Sequence, residues 1–76
     1  MKVRVYEMPL TMANVGQEYV IKTVGGKEET RKFLESLGFT SGSVVTVGSD
    51  IIGNLIVNIK DSRVAINKEM ASKILV

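Results

Sequence analysis

The 76-residue chain has no cysteine, no histidine and no tryptophan, and only one proline. Without cysteine, no disulfide can staple the fold and no thiolate zinc site can form. Without histidine, the commonest general base and the commonest metal ligand are both missing. Ten basic residues stand against eight acidic ones, a net charge of +2. They are scattered along the chain, with none of the Lys/Arg blocks that mark nucleic-acid binders. No apolar run approaches the ~20 residues of a membrane span. The opening MKVRVYEM alternates charged and apolar residues, unlike the apolar core of a signal peptide. The expectation is a soluble, cytoplasmic chain folding as one domain over residues 1–76. A chain of this size buries only about 60% of its unfolded surface, so its stability should be modest, about 4–11 kcal/mol.

The best-defined stretch is 27–42, KEETRKFLESLGFTSG. Thr30, Phe33, Leu34 and Leu37 fall at i, i+3, i+4 and i+7, the spacing of one helical face. The opposite face carries Glu28 with Lys32 and Arg31 with Glu35, each pair four apart. Gly38 follows the last apolar position, where a glycine in the left-handed conformation ends helices. Phe39 should then fold back on Leu34, the hydrophobic contact of a Schellman stop. Thr40-Ser41-Gly42-Ser43 reads as a tight turn with Gly42 at positive φ.

Around this helix the pattern is mainly β. Val3 and Val5 alternate with charged residues as in a strand or tail over 1–8. Residues 10–13 suit a single helical turn. Residues 18–24 carry apolar side chains on both faces, as in a strand shared between two packing surfaces. Strands are predicted over 43–49, 54–60 and 63–66, with a hairpin tip at Asp50-Ile51-Ile52-Gly53. Asn67 is a good N-cap for a last helical turn, and Ile74-Leu75-Val76 can close as a strand. Short strands at regular spacing with one inserted α-helix and a short C-terminal helical turn predict a small, closed or nearly closed β-barrel.

Chemistry-bearing patterns are sparse. Glu28 and Glu29 are adjacent on a helix and point apart, and no serine has a histidine to activate it. Gly25-Gly26-Lys27 lacks the spacing of a phosphate-binding loop. Carboxylates alone suit magnesium or calcium, and the Asp50 loop lacks the spaced carboxylates of a calcium loop. No catalytic or metal-binding residue is therefore assigned. Arg4, Lys22, Arg31, Lys32, Lys60 and Arg63 form a basic groove only if the fold converges them. The only candidate stacking aromatics are Tyr6 and Tyr19, since Phe33 and Phe39 are assigned to packing. Nucleic acid is not the expected partner. Ile51 and Ile52 are apolar at a tip that is normally polar. Either they form a contact site, or the loop folds back over one end of the barrel.

In order and spacing these segments resemble the FeoA family of small ferrous iron transport proteins. Arg31, Leu34, Leu37 and Gly38 match its R-x-x-L-x-x-L/M-G helix, and Phe33, Leu34, Leu37, Gly38 and Gly42 make up the structural part of the motif. Phe39 through Val47 matches the continuation G-L-x-x-G-x-x-V, with Phe39 where leucine is common. Residues 54–58 and 63–66 resemble the family's hairpin, 67–71 its R-x-x-E-A turn, and 10–17 its opening L-S-x-L-x-P-G-Q. Val15 replaces the common proline, Asp61 stands where a glycine often sits, and residues 1–8 precede the usual start. The resemblance implies an SH3-like β-barrel in the cytoplasm, at the inner face of the membrane through its partner. That partner would be FeoB, a membrane ferrous iron transporter with a cytoplasmic GTP-binding region, which the chain would modulate without catalysis. It implies Fe2+ by association only, with no cofactor in the sequence itself. The partner-facing residues are then Ile51 and Ile52 with the helix charges Arg31 and Lys32, and an exposed strand edge allows a homodimer. The alternatives are a metal-repressor-like accessory SH3 domain and a small nucleic-acid-binding barrel.

Overall fold

The computed structural model describes residues 7–76. The strand expected at Val3 and Val5 lies outside the described residues. Pro9 introduces a single 3-10 turn, Leu10–Met12, whose Leu10 is fully buried. The elements that follow are β1 (Glu18–Val20), β2 (Thr23–Val24), α1 (Glu28–Ser36), β3 (Val44–Ile51), β4 (Asn54–Ile59), β5 (Ser62–Asn67), α2 (Lys68–Ala71) and β6 (Ile74–Leu75). The chain is mainly β, with its one longer helix inserted between β2 and β3.

The strands form two antiparallel sheets, one of four strands in the order β1-β3-β4-β5 and one of two, β2-β6. The mainly β architecture is as expected, while of the closed or nearly closed barrel predicted, full closure is not seen among the described residues. Among the described residues no ladder returns from β5 to β1, so these two strands are edges. The reason lies in residues 18–24. The predicted single strand divides its hydrogen bonds: Ile21 donates to the Ser43 carbonyl at 2.9 Å, and Lys22 donates to the Leu75 carbonyl at 2.8 Å. The chain thus leaves one sheet and enters the other within two residues. Apolar residues on both faces of the stretch reflect this switch, with Ile21 and Val24 buried and Val20 left exposed. Met8 and Val76 exchange two backbone hydrogen bonds of 2.9 Å, and Pro9 bridges Leu75, so the segment before the 3-10 turn flanks β6.

Strict alternation places Leu55, Val57 and Ile59 of β4 in the core, opposite Ile66 and Val64 of β5 and Val47 and Val45 of β3. Leu10, Ile21, Leu34, Phe39 and Ile74 complete the packing from the turns, α1 and β6. No polar or charged residue among those described is buried. Any binding chemistry must therefore sit on the surface. Asn67 caps α2 as its sequence position predicts, its side chain accepting from the Met70 N–H at 2.8 Å.

The end of α1 is a Schellman stop. Gly38 sits at φ 103°, its N–H bonds the Glu35 carbonyl at 2.9 Å, and the Phe39 N–H bonds the Leu34 carbonyl at 3.0 Å. Phe39 and Leu34, joined by that bond, are both fully buried. Phe33 departs from the expected packing: it is 48% exposed, and Thr30 and Leu37 are only half-buried. The helix is nine residues long and meets the sheets along a narrow line, so one apolar position in its stripe is covered and the flanking ones are not. Neighbouring residues of α1 should accordingly differ sharply. Leu34→Ala is expected to cost about 2–5 kcal/mol as a large-to-small change in the core. Phe33→Gln should cost no more than about 1 kcal/mol, both read by urea denaturation. A Cβ at Gly38 would meet Ile59 Cδ1 at an ordinary 3.6 Å, so Gly38→Ala should lose about 1–2 kcal/mol through its backbone conformation rather than a clash.

Candidate functional site

Two surface features stand out once the core is set aside. The first is the β3–β4 hairpin. Val45 pairs with Ile59 and Val47 with Val57, but the next pair is Ser49 with Ile56, leaving Gly48 as an extra residue in β3. This is a β-bulge. In a strict alternation Val45, Val47, Ser49 and Ile51 would share the core face. The bulge reverses the parity beyond Gly48, so that Ser49 and Ile51 join Asn54 and Ile56 on the outer face. A Cβ at Gly48 would stand 3.2 Å from Asn58 Nδ2, close enough that the Asn58 side chain would have to give way.

The tip itself is a two-residue turn, Ile52-Gly53, with Gly53 at φ 82°. Its base is tied to α2 twice: the Lys68 N–H donates to the Gly53 carbonyl at 3.1 Å, and Lys68 Nζ lies 3.3 Å from Asp50 Oδ1. Held this way, the tip does not fold back over the sheets. Ile52 is 97% exposed and Ile51 56%.

The second feature is a polar cleft of about 290 Å³ between α1, β2 and the turn after Phe39. Arg31 and Glu35 of α1 line one side, and Thr23, Thr40 and Ser41 line the other. Two of these hydroxyls are held in place: Ser41 Oγ donates to the Lys22 carbonyl at 3.1 Å, and Thr40 Oγ1 lies 2.8 Å from Ser43 Oγ. Of the two helix pairs read from the sequence, Lys32 and Glu28 form an ion pair at 3.2 Å. Arg31 and Glu35 form none. Acid before base at i, i+4 is the favourable order on a helix, and Arg31 before Glu35 is the reverse.

The four residues expected to face a partner therefore do not form one patch. Ile51 and Ile52 stand at one end of β3, while the cleft beside Arg31 adjoins the turn that enters its other end. The strand between them spans roughly 20–25 Å. Lys32 is engaged with Glu28. Nor do the basic residues converge: Arg31, Lys60 and Lys22 line three different clefts, Arg63 donates to Asn58 Oδ1 at 3.3 Å, and Arg4 lies outside the described residues. No cluster of three or more metal-ligating side chains occurs among the described residues, and none of their helices is long and apolar enough to cross a membrane. The cross-strand pair Val20 and Val44, exposed on the outer face, was not singled out by the sequence reading.

Comparison with known proteins places this architecture. Residues 8–76 match the FeoA domain. The chain belongs to the FeoA domain family. Among solved structures, an iron uptake regulatory protein, FeoA, superimposes with a TM-score of 0.85 at 26% identity, covering 95% of this chain and 96% of that one. FeoA of Stenotrophomonas maltophilia, solved with zinc and described as an SH3 domain protein, gives 0.78 at 20% identity, over 88% of this chain and 86% of that one. A manganese-dependent transcriptional repressor gives 0.84 at 18% identity, over 92% of this chain but only 40% of the repressor. These last two likenesses establish the shared fold. No curated protein matches the chain. Within the FeoA motif, Leu34 is buried, Gly38 and Gly42 take positive φ values of 103° and 90°, and Phe33 is half-exposed.

Because Ile51 and Ile52 lie outside the core, replacing both with serine should shift stability by no more than about 0.5–1 kcal/mol, measured by chemical denaturation. A larger loss would mean that the tip supports the fold.

Proposed function

We propose that this FeoA-family chain is an accessory protein of ferrous iron transport that docks on the cytoplasmic region of a FeoB-type GTP-binding iron transporter and modulates it. The observation that carries the reading is the FeoA match over residues 8–76. A related role, a bacterial ferrous iron transport activating factor, has been suggested for the Stenotrophomonas maltophilia protein. The reading assigns no catalysis to the chain and treats Fe2+ as the transporter's cargo. It places the chain in the cytoplasm, at the inner face of the membrane while bound.

The surface supports a docking role. The tip offers two isoleucines rimmed by Asn54, Asn67 and the neutralising Asp50–Lys68 pair. An apolar centre with a polar rim of no net charge is the anatomy of a protein contact. Burying one isoleucine side chain contributes about 1.5–3 kcal/mol, roughly tenfold or more in Kd. Ile52→Asp, which leaves the core untouched, should therefore weaken association with the purified cytoplasmic region of the transporter by at least about tenfold in a calorimetric titration. If the unaltered chain does not associate, and deleting it changes neither GTP turnover nor iron uptake, the reading is wrong.

A further inference from the structure

We infer that the Arg31 cleft is a pocket for one acidic side chain of a protein partner, with Arg31 taking the carboxylate and Glu35 facing a donor on the same partner segment. The inference rests on the docking role proposed above and adds to it a second, polar contact, separate from the hairpin tip.

The cleft is built rather than incidental. Phe39, one of its lining residues, is fully buried and fixed by the Schellman stop. Its far wall is held by the two hydroxyl hydrogen bonds of Ser41 and Thr40. Arg31 is the cation that lines this space, and among the described residues it has no ion-pair or hydrogen-bond partner, while Lys32 beside it on the same helix forms an exposed ion pair with Glu28. A guanidinium offers five donors and no acceptor, in a planar fork that fits a carboxylate with two parallel hydrogen bonds.

Size and charge narrow the occupant. A cleft of about 290 Å³ is at the lower limit of small-molecule sites and suits a side chain. A phosphate dianion would meet one arginine and also the Glu35 carboxylate. A monoanionic carboxylate suffers less repulsion and leaves Glu35 available to an N–H or ammonium group. The cleft thus presents a cation and an anion four residues apart, complementary to a partner segment carrying the opposite pair. Such a contact sets register and orientation more than bulk affinity.

The test has two arms. In the first, the 15N-labelled chain is titrated with N-acetyl-aspartyl amide, and separately with inorganic phosphate, at matched ionic strength. The Arg31 Nε–H and the Thr40 and Ser41 amide resonances should move saturably with the aspartyl compound and far less with phosphate. Equal response to phosphate, or no response to either, overturns the assignment. In the second arm, association with the transporter's cytoplasmic region is compared across variants. Arg31→Gln and Arg31→Lys should each weaken it about tenfold, because a lysine cannot reproduce the bidentate fork. Lys73→Gln, at an exposed cation that lines a different cleft, should change it less than about twofold. If Arg31→Gln associates as tightly as the unaltered chain while Ile52→Asp does not, this inference falls and the docking role stands. If neither substitution matters, the docking surface itself is misassigned.

Discussion

Much of this molecule hangs on the turn at Gly38. The two backbone hydrogen bonds that end α1 are possible only because residue 38 takes a φ of 103°, and they deliver Phe39 into the core as one of its largest fully buried side chains. From Phe39 the chain has four residues before it must enter β3 in register with β1 and β4. The Thr40–Ser43 turn achieves this with a 3.0 Å hydrogen bond, and Gly42 donates to the Ile21 carbonyl at 2.8 Å. The positive-φ residue Gly38, with Gly42 at φ 90° in the turn that follows, therefore sets the exit of the helix, the start of the central strand and one lining residue of the polar cleft.

The second constraint is the shortage of chain. Seventy described residues supply a core of apolar side chains with no buried polar group, and they do so by using residues 18–24 twice. The switch at Ile21 and Lys22 lets one segment form an edge strand of the four-stranded sheet and then begin the two-stranded one. What this leaves outside is correspondingly simple: an apolar tip at one end of β3 and a small charged cleft near the other.

Most local features were legible because they rest on interactions close in sequence. The helix, its glycine stop, the tip position, the Asn67 cap and the alternation in β4 all follow from residues within a few positions of one another. What was not legible depends on partners distant in the chain. The division of 18–24 between two sheets is decided by Ser43 and Leu75. Phe33 reads as core by its helical spacing, yet its exposure depends on how narrow a strip of sheet faces α1. The bulge had one local signal, a glycine inside a strand pattern, but its effect on Ile51 appears only in the register with Ile56 and Asn54. In the β4–β5 turn, where Asp61 replaces a glycine common in the family, it is the preceding Lys60 that takes the left-handed conformation, at φ 53°. The Arg31 cleft was half visible: the arginine was in view, while the hydroxyls opposite it come from two other segments.

The pairing of β2 with β6 bears on the order in which the molecule assembles. The β3–β4 and β4–β5 hairpins each close through two residues, whereas Thr23 meets Leu75 about fifty residues away. Long closures must be met before their contacts repay them, and here the reward is a sheet of two-residue strands. The three-stranded meander is thus the natural nucleus, with the second sheet joining late and, by the same token, opening first. Since Lys22 and the turn at Ser41 share a hydrogen bond, that late-forming corner is also the wall of the Arg31 cleft. The tip on the meander would be in place from early in folding, while the cleft would exist only once the chain is complete.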